Sequence, residues 1–533
     1  MPARHVSAFA AAILGGFASL AGGPARGASS AQSGWSTATA LGSCVAAVGP
    51  RVAFPSESPS LATGRGAIVW VEDPVCRRGS TSTARVPFVL SIAALGTADR
   101  ALSTRSRPLR GGQPGQLAAI GASRGRVAVA ASLGATGASS LVALLQGRAT
   151  GSLEPGPPLS GIGGPFSLAH AYLGDAAVAT VEPGVAIEVR VERYFRSAFE
   201  RQLRIPIAAG RVSALTATLD YRSDVLVAWQ QNGTIYAHML RASGRGEPTQ
   251  RVGASAPDPQ LQALVSDNDH GMIAWSSGGP PTPTARTSVR IAFSDAGVRF
   301  TGSRLVAAFE DRRGVGRSPG SLELVRLSSE NVMLAWTAAE HGSYVVRALP
   351  AVFAGTRPGA RLSDPSRQSV LAALAPGAAG EAVALWRSAP SPGGALEPSR
   401  SELWATRTFI ESHGRVGQRA PEMVAAAGAN ASPSVAVDPA SDHAVAAWLH
   451  MGARPRVEYA IGPGATGYRP PSPGALTPPR GGTSAGEIAI AAAGAGALAA
   501  LLTALAVRRR AGARRDGDAG IGRRRRRSPR ARR

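Results

Sequence analysis

The chain contains no lysine: its 58 basic residues are all arginine. Chemistry that needs a primary amine is therefore excluded, including a phosphate-cradling GxxxxGK loop, a Schiff-base lysine and a kinase-type lysine. Cysteine is nearly absent as well, with only Cys44 and Cys76. Two thiols fall short of the four ligands of a structural zinc site, and no CxxC pair exists for redox exchange. In an oxidising, exported setting the two cysteines most simply form one disulfide at the start of the folded region. Long apolar runs are missing from the body of the chain. Short runs of Ala, Val and Leu are punctuated by 64 Gly and 40 Pro, which favours short strands and turns over helices.

The two longest apolar segments lie near the ends. Arg4 and His5 precede an apolar run from Val6 to Leu20, followed by small residues with cleavage points between Gly27 and Ala31. This layout predicts a secretory signal peptide over residues 1–28. Near the other end, Ile488 to Val507 carries no charge, and twenty residues at a helical rise span about 30 Å, the thickness of a bilayer core. The expectation is a transmembrane helix over 488–507, preceded by a Pro/Gly-rich linker at 471–487. A wall-anchoring signal shares the apolar-then-basic pattern, but no LPxTG-like motif stands in that linker.

The formal charge is +24, and residues 508–533 hold thirteen Arg against Asp516 and Asp518, a contribution of +11 that leaves +13 for the rest. Beside a hydrophobic span, such a basic block reads as a cytoplasmic topology signal in contact with anionic lipid headgroups rather than as a nucleic-acid footprint. The expected topology is an ectodomain outside the cell membrane and the arginine-rich tail inside. Arginine without lysine, with abundant Ala, Gly and Pro, suggests a GC-rich bacterial genome.

Between the ends, residues 32–470 repeat. Six tryptophans close a short apolar run: GAIVW at Trp70, VLVAW at Trp229, GMIAW at Trp275, VMLAW at Trp336, AVALW at Trp386 and AVAAW at Trp448. Two more runs fit the register without Trp, ending at Ala131 and Thr180, so that successive copies are 61, 49, 49, 46, 61, 50 and 62 residues apart. Each copy starts as a β-hairpin, as in SPSVAVDPASDHAVAAW, and continues into an alternating strand such as TIYAHML or RVEYAI. A fourth strand comes from segments such as GVRFTGSRLVAAF, and Pro-rich insertions at 278–287 and 388–399 fall in loops after the Trp strand. The period is that of propeller blades, and the tryptophans are expected to pack between blades, each burying roughly 150–250 Å². Trp35 and Trp404 stand outside the register and are freer to face a ligand.

With these units ending in an AxW-like strand, the chain resembles the secreted and membrane-anchored bacterial β-propeller repeat proteins over about residues 35–470. The resemblance implies a fold and an extracellular location and carries over no catalytic residue. The expected architecture is all-β: a single propeller of seven or eight four-stranded blades, with one C-terminal transmembrane helix. Seven blades result if the first and last copies combine to close the ring. A β-sandwich array is the alternative reading of strand-rich repeats.

Catalytic signals are weak. GxSxG occurs at Gly121–Gly125, Gly316–Gly320 and Gly482–Gly486, but none sits at a strand–turn–helix elbow. SDNDHGMIAW resembles the Asp-box of sialidases with altered spacing, and its Asp267, Asp269 and His270 read as a solvated turn. Asn232 and Asn430 match glycosylation sequons. No motif implies a cofactor or metal. The sequence points to an extracellular binding or interaction scaffold with an unspecified ligand or protein partner. A hydrolase acting on a glycan or peptide, with acids gathered at a propeller channel, is the alternative.

Overall fold

The structure, a computed structural model, describes residues 34–464 apart from internal stretches, the longest being 42–47, 55–65, 74–87, 193–198 and 390–399. The expected signal segment, linker, transmembrane span and tail lie outside the described residues, as do Cys44 and Cys76. Among the described residues no helix is long and apolar enough to cross a membrane.

Each repeat folds into an antiparallel sheet whose strands pair in chain order. Blade 1 runs from Arg51 to Pro108, blade 2 from Gln113 to Pro155, blade 3 from Phe166 to Pro206 and blade 4 from Val212 to Ala254. Blade 5 runs from Gln260 to Glu310, blade 6 from Leu322 to Arg361 and blade 7 from Gln368 to Gly428. Blade 8 takes three strands from Asn430 to Ile461, and its fourth, Thr39–Ala40, comes from the N-terminus. The first strands of successive blades touch in turn, and the first strand of blade 8 touches that of blade 1, so the ring is closed. The protein is an eight-bladed β-propeller with four-stranded blades, two of which carry an extra outer segment.

Seven blades would require the first and last repeats to share one sheet. Instead the Trp70 repeat heads its own blade, and the segment before it completes blade 8. Thr39 and Ala40 pair with Tyr459 and Glu458. The pairing is extended by Leu41 N–H to the Val457 carbonyl at 2.8 Å and Ser36 N–H to the Ile461 carbonyl at 2.8 Å. Trp35 packs against the cluster between blades 7 and 8, where Gly462 makes room: a Cβ there would lie 2.8 Å from the indole. Closing the sheet with a strand from the other end of the chain covers the outer edge of the third strand of blade 8, Arg456–Ile461.

No blade has a core of its own. The eight apolar clusters each draw on two neighbouring blades, from blades 1 and 2 round to blades 8 and 1. The second strand is buried on both faces, and its residues alternate between the preceding and following neighbour. The six repeat tryptophans all point toward the preceding blade: Trp70 toward blade 8, Trp229 toward blade 3, Trp275 toward blade 4, Trp336 toward blade 5, Trp386 toward blade 6 and Trp448 toward blade 7. None is more than 2% exposed. Glycine accommodates two of them, since a Cβ on Gly253 would lie 2.9 Å from the Trp275 ring and one on Gly359 2.3 Å from that of Trp336.

The indole N–H of Trp70 donates to Glu72 and that of Trp448 to Glu458. Those of Trp229, Trp275 and Trp336 find no partner among the described residues. An unpaired buried donor costs about 1–3 kcal/mol, less than the roughly 3–5 kcal/mol lost on truncating a buried Trp, so packing decides the position. Trp336→Ala should lower unfolding stability by about 3–5 kcal/mol, read from urea denaturation midpoints. Deleting residues 34–41 should expose blade 8 and lower the melting temperature of the full chain; an unchanged melting temperature would mean the ring closes without that strand.

Candidate functional site: the lumen of the propeller

The first strand of every blade lines the central channel, so its sequence decides what chemistry the lumen holds. Among the described inner strands the ionisable side chains are Arg51 in blade 1, His170 in blade 3, and Glu323 and Arg326 in blade 6. The other residues of these strands are uncharged.

Strand register sorts these four into two levels. Arg51 lies opposite Val69, and Glu323 opposite Ala335, in both cases the residue just before the repeat Trp. The same position holds Ala118, Ser167, Thr216, Gln262 and Ser434 in blades 2, 3, 4, 5 and 8. In blade 7 the pairing shifts between Leu371 and Ala373. His170 and Arg326 stand four residues beyond Phe166 and Leu322, which pair with Thr180 in the Trp position and with Trp336, at the far end of their strands.

Several polar residues at the first level are spent on joining blades. The Ser434 hydroxyl accepts from Val52 N–H at 3.2 Å, and Arg51 Nε donates to the Leu117 carbonyl at 3.1 Å. The Ser167 hydroxyl accepts from Ala217 N–H at 2.9 Å, and Gln262 Nε2 donates to the Leu322 carbonyl at 3.2 Å. Each reaches the inner strand of the next blade. The inner strand has one neighbour within its sheet, so its other backbone edge needs partners, and side chains aimed along the ring supply them. This belt was not legible in the sequence. Its members are two serines, an arginine and a glutamine, and the signal that finds them is the place across from the residue before the Trp position.

The ionisable side chains interact through the lumen, because their blades are not neighbours. Arg51 acts on Glu323, and Arg326 on His170. Glu323 is half-buried by its own surface, but the wall encloses it on all sides. That desolvation pushes its carboxyl up to about 8 against the pull of Arg51. His170 is exposed at the end of its strand, but the surrounding wall and then the Arg326 charge hold its imidazole down to about 4. At neutral pH the lumen thus presents a protonated carboxyl near one guanidinium and a neutral imidazole near another.

Elsewhere the acids pair between or within blades. Arg126 of blade 2 bonds Glu192 of blade 3, and the Ser223 hydroxyl of blade 4 bonds Asp175 of blade 3. Arg407 of blade 7 is 2.8 Å from Asp442 of blade 8 and 3.3 Å from Glu381, which also meets Arg419 at 2.8 Å. Asp311 accepts from Thr287, Tyr344 and the amides of Val315 and Gly316. Among the described residues no three His, Cys, Asp or Glu side chains gather to hold a metal ion.

The other sequence candidates separate. Trp404 pairs across from Trp386, donates its N–H to Glu402 at 2.7 Å and lies beneath Arg367. Trp35 closes the ring. Both are half-buried and engaged, so neither is a free stacking platform. Gly316–Gly320 lies in a loop around a 3₁₀ turn with no elbow. Asp267 and Asp269 fall outside the described residues, while the His270 amide donates to the Ser266 hydroxyl in the hairpin turn. Asn430 is buried, with its amide donating to the Ser401 and Ala426 carbonyls, whereas Asn232 is exposed in its turn.

No family model and no curated protein matches the chain. Among solved structures, it is similar to the BP39L lectin from Burkholderia pseudomallei, with 13% identity over 70% of this chain and 99% of that one and a TM-score of 0.41. The WD40 domain of SCAP from fission yeast matches at 9% identity over 71% of this chain and 92% of that one, with a TM-score of 0.39. The NanB sialidase from Streptococcus pneumoniae matches at 7% identity over 81% and 94%, with a TM-score of 0.36. Likenesses this remote carry no argument about what the chain binds.

A carboxyl whose folded pKa stands above its unfolded value holds its proton more tightly in the folded chain. Its contribution to stability is full below the ordinary carboxyl range and is lost as pH rises through about 8. Glu323→Gln should therefore lose less stability than the native chain between pH 5 and 9, measured as the shift in denaturation midpoint. Parallel losses in the two proteins would mean that Glu323 is already ionised at neutral pH.

Proposed function

We propose that the chain is an exported, single-pass membrane protein whose propeller is a recognition scaffold on the extracellular side. The observation that carries the scaffold reading is the composition of the described inner strands: one carboxyl, Glu323, and one imidazole, His170, on different levels of the wall. Glycoside hydrolysis ordinarily uses two carboxyls about 5–10 Å apart, one of them free to act as nucleophile or base. The described inner strands offer a single carboxyl, and the acids noted outside the lumen are engaged by arginine, hydroxyl or amide groups. What the described inner strands offer instead is a proton donor and two guanidinium groups, a surface suited to holding a ligand.

Export and anchoring are supported by the apolar run at 6–20, the uncharged segment at 488–507 and the arginines that follow it. The predicted topology places the C-terminus inside. A C-terminal fluorescent reporter should therefore light up and a C-terminal phosphatase, active only after export, should stay silent; the reverse pattern would refute the orientation.

The second reading, an extracellular hydrolase acting on a glycan or peptide, rests on the raised pKa of Glu323, since a neutral carboxyl at pH 7 can serve as a general acid. Fluorogenic glycosides and peptides decide between the two. The scaffold reading expects no turnover above background, whereas turnover that Glu323→Gln abolishes would establish the hydrolase.

A further inference from the structure

Away from the lumen, a cleft of about 630 Å³ opens between blades 6 and 7. It lies between the connections from third to outer strand, residues 351–359 in blade 6 and 411–415 in blade 7. Its volume is in the range of small-molecule sites. The side chains that give it chemical character are Arg357, Arg415 and His413, with Phe353, Pro350 and Pro358 as apolar surface, and among the described residues no carboxylate lines it.

Two features preorganise the cationic groups. Arg357 lies over the Phe353 ring at 4.1 Å and donates from Nη1 to the His413 carbonyl at 2.9 Å, which fixes the guanidinium plane and leaves other N–H groups facing outward. His413 and Gly414 are consecutive left-handed residues, with φ of 69° and 70°. A Cβ on Gly414 would strike the Phe353 ring at 2.0 Å, so glycine allows the turn to close on the aromatic. Among the described residues Arg415, exposed at the end of that turn, has no side-chain partner, and neither does the His413 ring. The neighbouring acid, Glu411, has its carboxylate against Gly417 on the outer strand.

A pocket that concentrates unspent guanidinium donors, holds one of them rigid and excludes acids from its wall is built for an oxyanion, because charge-assisted bonds to carboxylate or phosphate are the strongest such donors make. The flat apolar surfaces of Phe353, Pro350 and Pro358 suit the carbon face of a ring. We propose that this cleft binds an oxyanion carried on a sugar-sized ring, a carboxylated or phosphorylated saccharide. The proposal goes beyond the scaffold reading by naming a site outside the lumen, and turnover assays do not bear on it.

The test is calorimetric titration of the full chain in nonionic detergent with glucuronate, glucose 6-phosphate, inorganic phosphate and glucose. Either sugar anion should bind, glucose should not, and raising salt should weaken the binding. Arg415→Gln, which removes an exposed side chain, should leave the melting temperature unchanged and weaken binding about tenfold or more; Arg357→Gln should weaken it similarly. Preference for glucuronate or for glucose 6-phosphate tells which oxyanion is read, and inorganic phosphate binding as tightly as glucose 6-phosphate would show that the sugar ring contributes nothing, overturning the saccharide assignment. Absence of binding by every anion, equal binding of glucose, or binding unchanged in both variants would overturn the site.

Discussion

Everything in this molecule depends on the contact between neighbouring blades. Each sheet is two-faced and apolar on both sides, so a blade in isolation would expose two hydrophobic surfaces and bury none. Burial comes only from stacking, and the Ala-rich second strand lets sheets approach until a single large side chain per interface, usually Trp, fills the remaining space. Ala131 and Thr180 hold that place in blades 2 and 3. The interfaces beside blade 2 are built instead from Leu117, Leu133 and Leu145 on one side and Leu144, Leu159 and Phe166 on the other.

The same contact dictates the polar chemistry. Inner strands from adjacent blades lie side by side without pairing as a sheet, which leaves backbone groups to be satisfied across the gap. Ser434, Arg51, Ser167 and Gln262 do this from one register position. Thr337 does it from the second strand of blade 6, accepting from the Leu371 amide. Much of the polarity of the lumen is therefore structural, and the ionisable groups Glu323 and His170 are set by enclosure and by the charges of Arg51 and Arg326 from the far wall.

An all-arginine basic complement suits this construction. A guanidinium can bond several acceptors at once in a fixed plane. Arg407 uses this capacity on Asp442, Glu381 and the Pro463 carbonyl, tying blades 7 and 8 to the segment that leaves the propeller. Such a buried cluster adds little net stability over an apolar contact but is costly to break, and its value lies in fixing one register between blades. The exposed arginines of the blade 6–7 cleft show the other use of the group, with donors held in place and left for an incoming anion.

The repeat, the strand order and the propeller architecture could be read from sequence because Trp229, Trp275, Trp336, Trp386 and Trp448 recur after the same apolar run, and burial on both faces leaves that pattern little freedom. The choice between seven and eight blades could not, because it turns on what completes the last one. Its fourth strand, Thr39–Ala40, is two residues long and carries no repeat signature, and only pairing with Arg456–Ile461 gives it meaning. Nor could the lumen be read: Arg51 and Glu323, like His170 and Arg326, are remote in sequence and belong to blades that do not touch. The cleft joins two connections from different repeats in the same way. Local periodicity is a property of the chain and survives in its sequence. The meeting of charges across a closed ring depends on how many blades close it, which only the summed geometry of every interface decides.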